Sequence, residues 1–156
     1  LTGHLVHLNW NHWGLNMVGN VIVAIFFSLY GSLLDWLFVL VFSALSVGIG
    51  LYWWHPEVIW YVGLSGVLHG LFVYGAIRET RFYPFSGYVL LLLLAGKLFW
   101  EYMNGALPGS EEMTGGRVIV EAHLYGAIAG LAAIFITWPL HLLHKLVQVK
   151  NRQQDT

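Results

Sequence analysis

Five long apolar runs, joined by connections too short to fold by themselves, constrain this chain more than any other feature. A helix that crosses a bilayer needs roughly 20 mostly apolar residues, within a range of about 17 to 25. Segments near 12–30, 33–54, 62–77, 85–103 and 118–140 approach that requirement. With 58% hydrophobic and only 10% charged residues, composition departs from soluble-domain averages in the same direction. The expectation is an all-α membrane protein: a single domain over residues 1–156, built as a bundle of five transmembrane helices and ending in a tail at 141–156.

The third run is too short to cross unaided, and it follows a polar loop with His55, Pro56 and Glu57. A helix starting below the membrane surface leaves irregular backbone at depth, which is tolerated only inside protein or against a water-filled cavity. Arg78 and Arg81 follow this run, and Lys145, Lys150 and Arg152 follow the fifth, whereas Glu57, Glu111, Glu112 and Glu121 mark the other side. The positive-inside rule then makes the C-terminus and the 141–156 tail cytoplasmic. Loops 55–61 and 104–117 face outward, so His12, Ser65 and His123 approach one leaflet.

Several function classes drop out. A net charge of -1 without a basic stretch gives no footprint for nucleic acid. The lack of cysteine removes disulfides, thiolate catalysis and cysteine-bound metals. No His-Glu-x2-His occurs, so neither a metal nor another cofactor is expected. The chain opens on Leu1, with neither the basic flank nor the apolar core of a signal peptide, and is expected to start inside a longer gene product.

Polar groups inside spans are costly, so His12, Asn16, Ser65, His69, Lys97 and His123 each need a reason. A membrane serine commonly bonds its own backbone or a neighbouring helix, and a histidine commonly bridges helices. Ser65 has more around it. It stands in Gly63-Leu64-Ser65-Gly66, where a polar loop becomes a helix whose free N–H groups can stabilise developing negative charge. Serine needs an adjacent base to act as a nucleophile, and His123 lies at matching depth. Gly66 and Gly70 in the third run, with Gly126 and Gly130 in the fifth, form small-xxx-small faces that let two helices touch, although such faces also serve ordinary packing.

His12 and Asn16 share a helical face and can donate hydrogen bonds to an oxyanion, or can simply cap the interface. Lys97 and Glu101, also four apart, read first as a structural pair and second as a device that steers a substrate's terminal segment or an acceptor amine. No acidic third member of a catalytic set is expected, because Glu121 points to a different helix face from His123. The glycine-rich loop 104–117 reads as a flexible connection or a lid.

These residues resemble the rhomboid intramembrane protease family. Three blocks occur in the family's order: His7-x4-His12-x3-Asn16, Gly63-Leu64-Ser65-Gly66, and Ala122-His123-x2-Gly126-x3-Gly130. The resemblance implies a rhomboid-like bundle with Ser65 as nucleophile, His123 as general base and acid, His12 and Asn16 as oxyanion donors, and His7 as a structural histidine. The string Gly63 to Gly70, with Trp10 and Trp13 in the opening, looks like the rhombosortase subfamily. That likeness implies a bacterial cytoplasmic (inner) membrane protease opening to the outer side, among membrane lipids. Its substrates would be exported proteins with a C-terminal Gly-Gly motif, a transmembrane helix and a basic tail. An acyl-enzyme would pass to water or, in a transpeptidase-like transfer, to another amine.

Two departures from the family stand out. The family core has six helices, and the first of them is unaccounted for because residues 1–11 cannot span. His69 stands where many rhomboids carry a tyrosine, and it is expected to stack on or bond His123. The rival readings are a non-catalytic rhomboid-like protein that binds transmembrane helices, and a haem-binding electron carrier using His12, His69 and His123.

Overall fold

The computed structural model describes the backbone of residues 1–154 and the side chains of residues 1–139. Six α-helices follow a short 3-10 turn at Thr2–Leu5: α1 Trp10–Phe27, α2 Leu33–Trp54, α3 Ser65–Glu79, α4 Pro84–Asn104, α5 Ser110–Thr114 and α6 Val120–Gln154. No strand occurs among the described residues. The expected cytoplasmic tail, with Lys145, Lys150 and Arg152, lies outside the residues whose side chains are described.

Local chemistry sets the helix starts. Asn9 caps α1, its side chain accepting the His12 backbone N–H at 2.8 Å. Ser32 and Asp35 form a reciprocal capping box at the start of α2, and Pro84 occupies the first turn of α4, where a missing N–H costs nothing.

Four helical segments are long and apolar enough to cross a membrane: Trp10–Tyr30, Leu33–Trp54, Pro84–Asn104 and Val120–Pro139. The expected count of five is corrected here. The third run forms α3, whose 15 residues span about 22 Å at 1.5 Å per residue, short of a hydrocarbon core of about 30 Å. Residues 62–64 are not helical, so α3 begins at Ser65 itself.

The short helix is the hub of the bundle. It packs on α1, α2, α4 and α6, with its largest interface against α6, and most of its residues are buried. The spanning helices instead turn long apolar side chains outward, such as Ile25, Leu92 and Phe135, as lipid-facing helices do. In lipid, apolar burial does not drive helices together, so close van der Waals contact must. The α3–α6 interface achieves it with glycine. A side chain on Gly126 would overlap the Gly66 carbonyl oxygen, one on Gly130 would overlap that of Gly70, and one on Gly66 would lie 2.8 Å from the Ala122 carbonyl.

At one end of the bundle Arg78 donates to the Tyr30 carbonyl and to the Tyr74 hydroxyl, and Tyr74 pairs with Thr137 at 3.3 Å. At the other end the amino-terminal turn braces the loop before α3. His4 Nε2 donates to the Ala44 carbonyl at 3.0 Å, and the Gly63 N–H donates to the Gly3 carbonyl at 3.1 Å.

Gly96 of α4 offers a matched control, since nothing lies within 4 Å of where its Cβ would be. Gly126→Ala is predicted to destabilise the bundle by about 1–3 kcal/mol through overpacking. Gly96→Ala is predicted to be neutral or stabilising by up to about 1 kcal/mol, as in any helix interior. Thermal unfolding of both variants in detergent micelles checks the pair.

Candidate active site

Ser65 and His123 are brought together by the α3–α6 contact. Ser65 is the first residue of α3, and the N-cap residue Leu64 makes no side-chain cap to that helix start. His123 lies in the first turn of α6, and its Nε2 is 2.9 Å from Ser65 Oγ. Gly66 and Gly126 sit one and three residues from these side chains, so the glycine contact fixes the separation directly.

A carboxylate completes the line. Glu101 Oε2 of α4 lies 2.9 Å from His123 Nδ1, which corrects the expectation that no acidic third group is present. Glu101 and His123 are 4% and 5% exposed, so neither contact is shared with open solvent. Lys97 and Glu101 do pair, at 2.7 Å, but as part of the site rather than apart from it. Lys97 Nζ also lies 3.0 Å from His69 Nε2. His69 is stacked on His123, the ring centroids 4.2 Å apart and the planes 13° from parallel, and its Nδ1 lies 2.7 Å from the Ser65 carbonyl oxygen.

His12 and Asn16 face the same space from α1, both buried. The Leu8 backbone N–H donates to His12 Nδ1 at 3.4 Å, which leaves the ring proton on Nε2. That Nε2 approaches Gly63 so closely that a Cβ there would lie 2.5 Å away, and Gly63 has a φ of +108° that other residues rarely adopt. Asn16 uses one amide hydrogen on the His12 carbonyl at 3.2 Å, leaving its second available. His7 packs edge-on against His12, with centroids 5.0 Å apart, as a prop for that ring.

A cavity of about 820 Å³ joins these groups. Its polar end holds Ser65, His12, Asn16, His69, Lys97, Glu101 and His123. Leu15, Gly19 and Ile22 of α1, Phe72 of α3 and Leu94 of α4 extend it as an apolar channel. The loop expected at 104–117 lines the same cavity through Leu107, Ser110 and Thr114 and contains the short helix α5, tied to the start of α1 by Asn9 Nδ2 donating to the Met113 carbonyl at 3.4 Å. His69, Glu101 and His123 offer ligand atoms within 4.8 Å of one another, a spacing compatible with a metal ion. The Lys97 ammonium, bonded to two of them, already places a cation there.

A family model, the rhomboid domain, matches residues 1–140. The chain belongs to the rhomboid family. Members of this family are generally intramembrane serine proteases, and four apolar spans make this member a multi-pass membrane protein. No curated protein and no solved structure matches the chain.

Sequence reasoning missed Glu101 as a partner of His123, although a signal was present. Glu101 is an intramembrane carboxylate near the same end of its helix as the loop before α6, and such groups mark functional sites. Removing its cation partner should strand the buried carboxylate. Lys97→Met is predicted to destabilise the fold by about 3 kcal/mol, and Lys97→Met/Glu101→Leu to recover part of that loss, since it removes the stranded charge but also the acceptor of His123 Nδ1. A double-mutant cycle on unfolding in detergent measures the coupling.

Proposed function

We propose that this rhomboid is an active intramembrane endopeptidase working through Ser65 and His123. The observation that carries the reading is the 2.9 Å contact between Ser65 Oγ and His123 Nε2 within a cavity bounded by membrane helices. This distance lies within general-base reach, and the contact joins two polar side chains that are each costly inside a membrane.

Ser65 Oγ attacks the carbonyl carbon of a substrate peptide bond as its proton passes to His123 Nε2. The carbonyl electron pair moves to oxygen, and the resulting oxyanion faces the Nε2–H of His12, the second amide hydrogen of Asn16 and the start of α3. Collapse of this intermediate breaks the C–N bond, and His123 returns its proton to the leaving amine. The Ser65 ester then yields to water, or to an acceptor amine, by the same steps in reverse order.

The apolar channel favours a substrate that arrives from the side. The α1 and α4 helices share no substantial interface, and Leu15, Ile22 and Leu94 give a transmembrane segment an apolar approach to Ser65. Arg78 and Arg81 lie at the end of α3 away from Ser65, against Arg117 at the site's end, a bias that favours a site opening away from the cytoplasm. The likeness of Gly63 to Gly70 to the rhombosortases points to a bacterial inner membrane enzyme acting on exported proteins with a C-terminal Gly-Gly, transmembrane and basic sorting segment. An electron-carrier role is disfavoured because the ring nitrogens of His69 and His123 are already engaged and the two rings stack directly.

The test is cleavage, in proteoliposomes, of a reporter that ends in such a sorting segment. Ser65→Ala and His123→Ala are expected to abolish product. His12→Ala and Asn16→Ala are each expected to lower kcat by roughly 10²–10³-fold, the usual effect of losing an oxyanion donor. Undiminished cleavage by Ser65→Ala contradicts the reading.

A further inference from the structure

We propose that Glu101 is a positioning residue of the reaction, holding His123 in the one tautomer that can accept the Ser65 proton, with Lys97 and His69 locking Glu101 in turn. This rests on the serine protease reading above.

The assignment follows from which atoms are able to donate. The Ser65 carbonyl oxygen only accepts, so the 2.7 Å contact puts a proton on His69 Nδ1. In neutral His69 the other nitrogen, Nε2, is then an acceptor, and it receives a hydrogen from the Lys97 ammonium at 3.0 Å. A second Lys97 hydrogen goes to Glu101 Oε1 at 2.7 Å. The remaining oxygen, Oε2, faces His123 Nδ1 at 2.9 Å, and a carboxylate beside an ammonium only accepts, so Nδ1 carries the proton. His123 Nε2 is left as the acceptor that faces Ser65 Oγ at 2.9 Å. The 3.4 Å approach of Lys97 Nζ to His123 Nδ1 is then donor against donor and contributes no bond.

Every polar atom in this chain has a single consistent role, and the chain ends on the nucleophile. A Lys97–Glu101 pair buried this deeply needs a donor for its second carboxylate oxygen as well, and any nearby N–H or O–H could supply one. Here the second oxygen is spent on His123, 22 residues away on another helix, with both partners almost wholly buried. When His123 takes the Ser65 proton, the new positive charge lies directly against that oxygen. The carboxylate thus both sets the starting tautomer and stabilises the imidazolium. His69 caps the ring face and keeps it from rotating.

Glu101→Gln separates positioning from packing because it keeps the side chain's shape. Its carbonyl oxygen turns toward the Lys97 ammonium, so its amide faces His123 as a donor and selects the opposite tautomer. The expected result is a fall in kcat of roughly 10²–10⁴-fold with KM changed by no more than about threefold. In ¹⁵N-histidine NMR of the wild-type protein in nanodiscs, His123, assigned from the His123→Ala spectrum, is expected to carry its proton on Nδ1 and to shift to Nε2 in Glu101→Gln. A folded Glu101→Gln with kcat within about threefold of wild type overturns the inference. So does an Nε2-protonated His123 in the wild type, a measurement that stands even where the variant fails to fold. In either case, loss of cleavage in Ser65→Ala leaves the protease reading intact, whereas retained cleavage in Ser65→Ala removes that reading itself.

Discussion

Where α3 crosses α6, glycine faces glycine, and the places that side chains would take on Gly126 and Gly130 are filled by the carbonyl oxygens of Gly66 and Gly70. Lipid supplies no hydrophobic force to press helices together, so the depth of this contact comes from the absence of side chains. Its consequences extend in both directions along the helices. Toward one end it sets Ser65 and His123 within hydrogen-bond range. Toward the other it brings Tyr74 against Thr137. The short length of α3 is part of the same arrangement, because a helix that began at the surface would leave Ser65 in mid-helix, away from the unpaired N–H groups of a helix start.

Around that contact the bundle solves a second problem, which is how to keep several ionisable side chains inside a membrane. Each isolated charge there costs several kcal/mol. The groups meet in a closed set instead: Lys97 with Glu101 and His69, Glu101 with His123, and His69 with the Ser65 backbone. The set draws on α3, α4 and α6, so it also ties α4 to the glycine-packed pair. Stability and chemical readiness therefore rest on the same few bonds, and α1 completes the site from the opposite wall with His12 and Asn16.

The broad plan was legible in the sequence because its signals are local. Apolar run lengths marked the helices, with 33–54 coinciding with Leu33–Trp54, and the shortness of the third run flagged the buried start of α3. That run falls short of a fifth span because residues 62–64 stay out of the helix and the 15 that remain are too few to cross. Glycine spacing indicated which faces meet, and the histidine predicted to contact His123 is stacked on it. Glu101 was harder to place. Its pairing with Lys97 shows in the i, i+4 spacing, whereas its bond to His123 depends on how α4 is rotated against α6, which no local pattern encodes. The bracing of the 62–64 loop by Gly3 and His4 was hidden for the same reason, since it joins segments far apart in the chain.

The central claim is that Ser65 is a nucleophile made reactive by His123. Covalent labelling with a fluorophosphonate in native membranes, followed by mass spectrometry of the modified peptide, tests it without knowledge of the substrate. The account predicts an adduct on Ser65 in the wild type that disappears in His123→Ala. An adduct at another residue, or equal labelling of the wild type and His123→Ala, would contradict it.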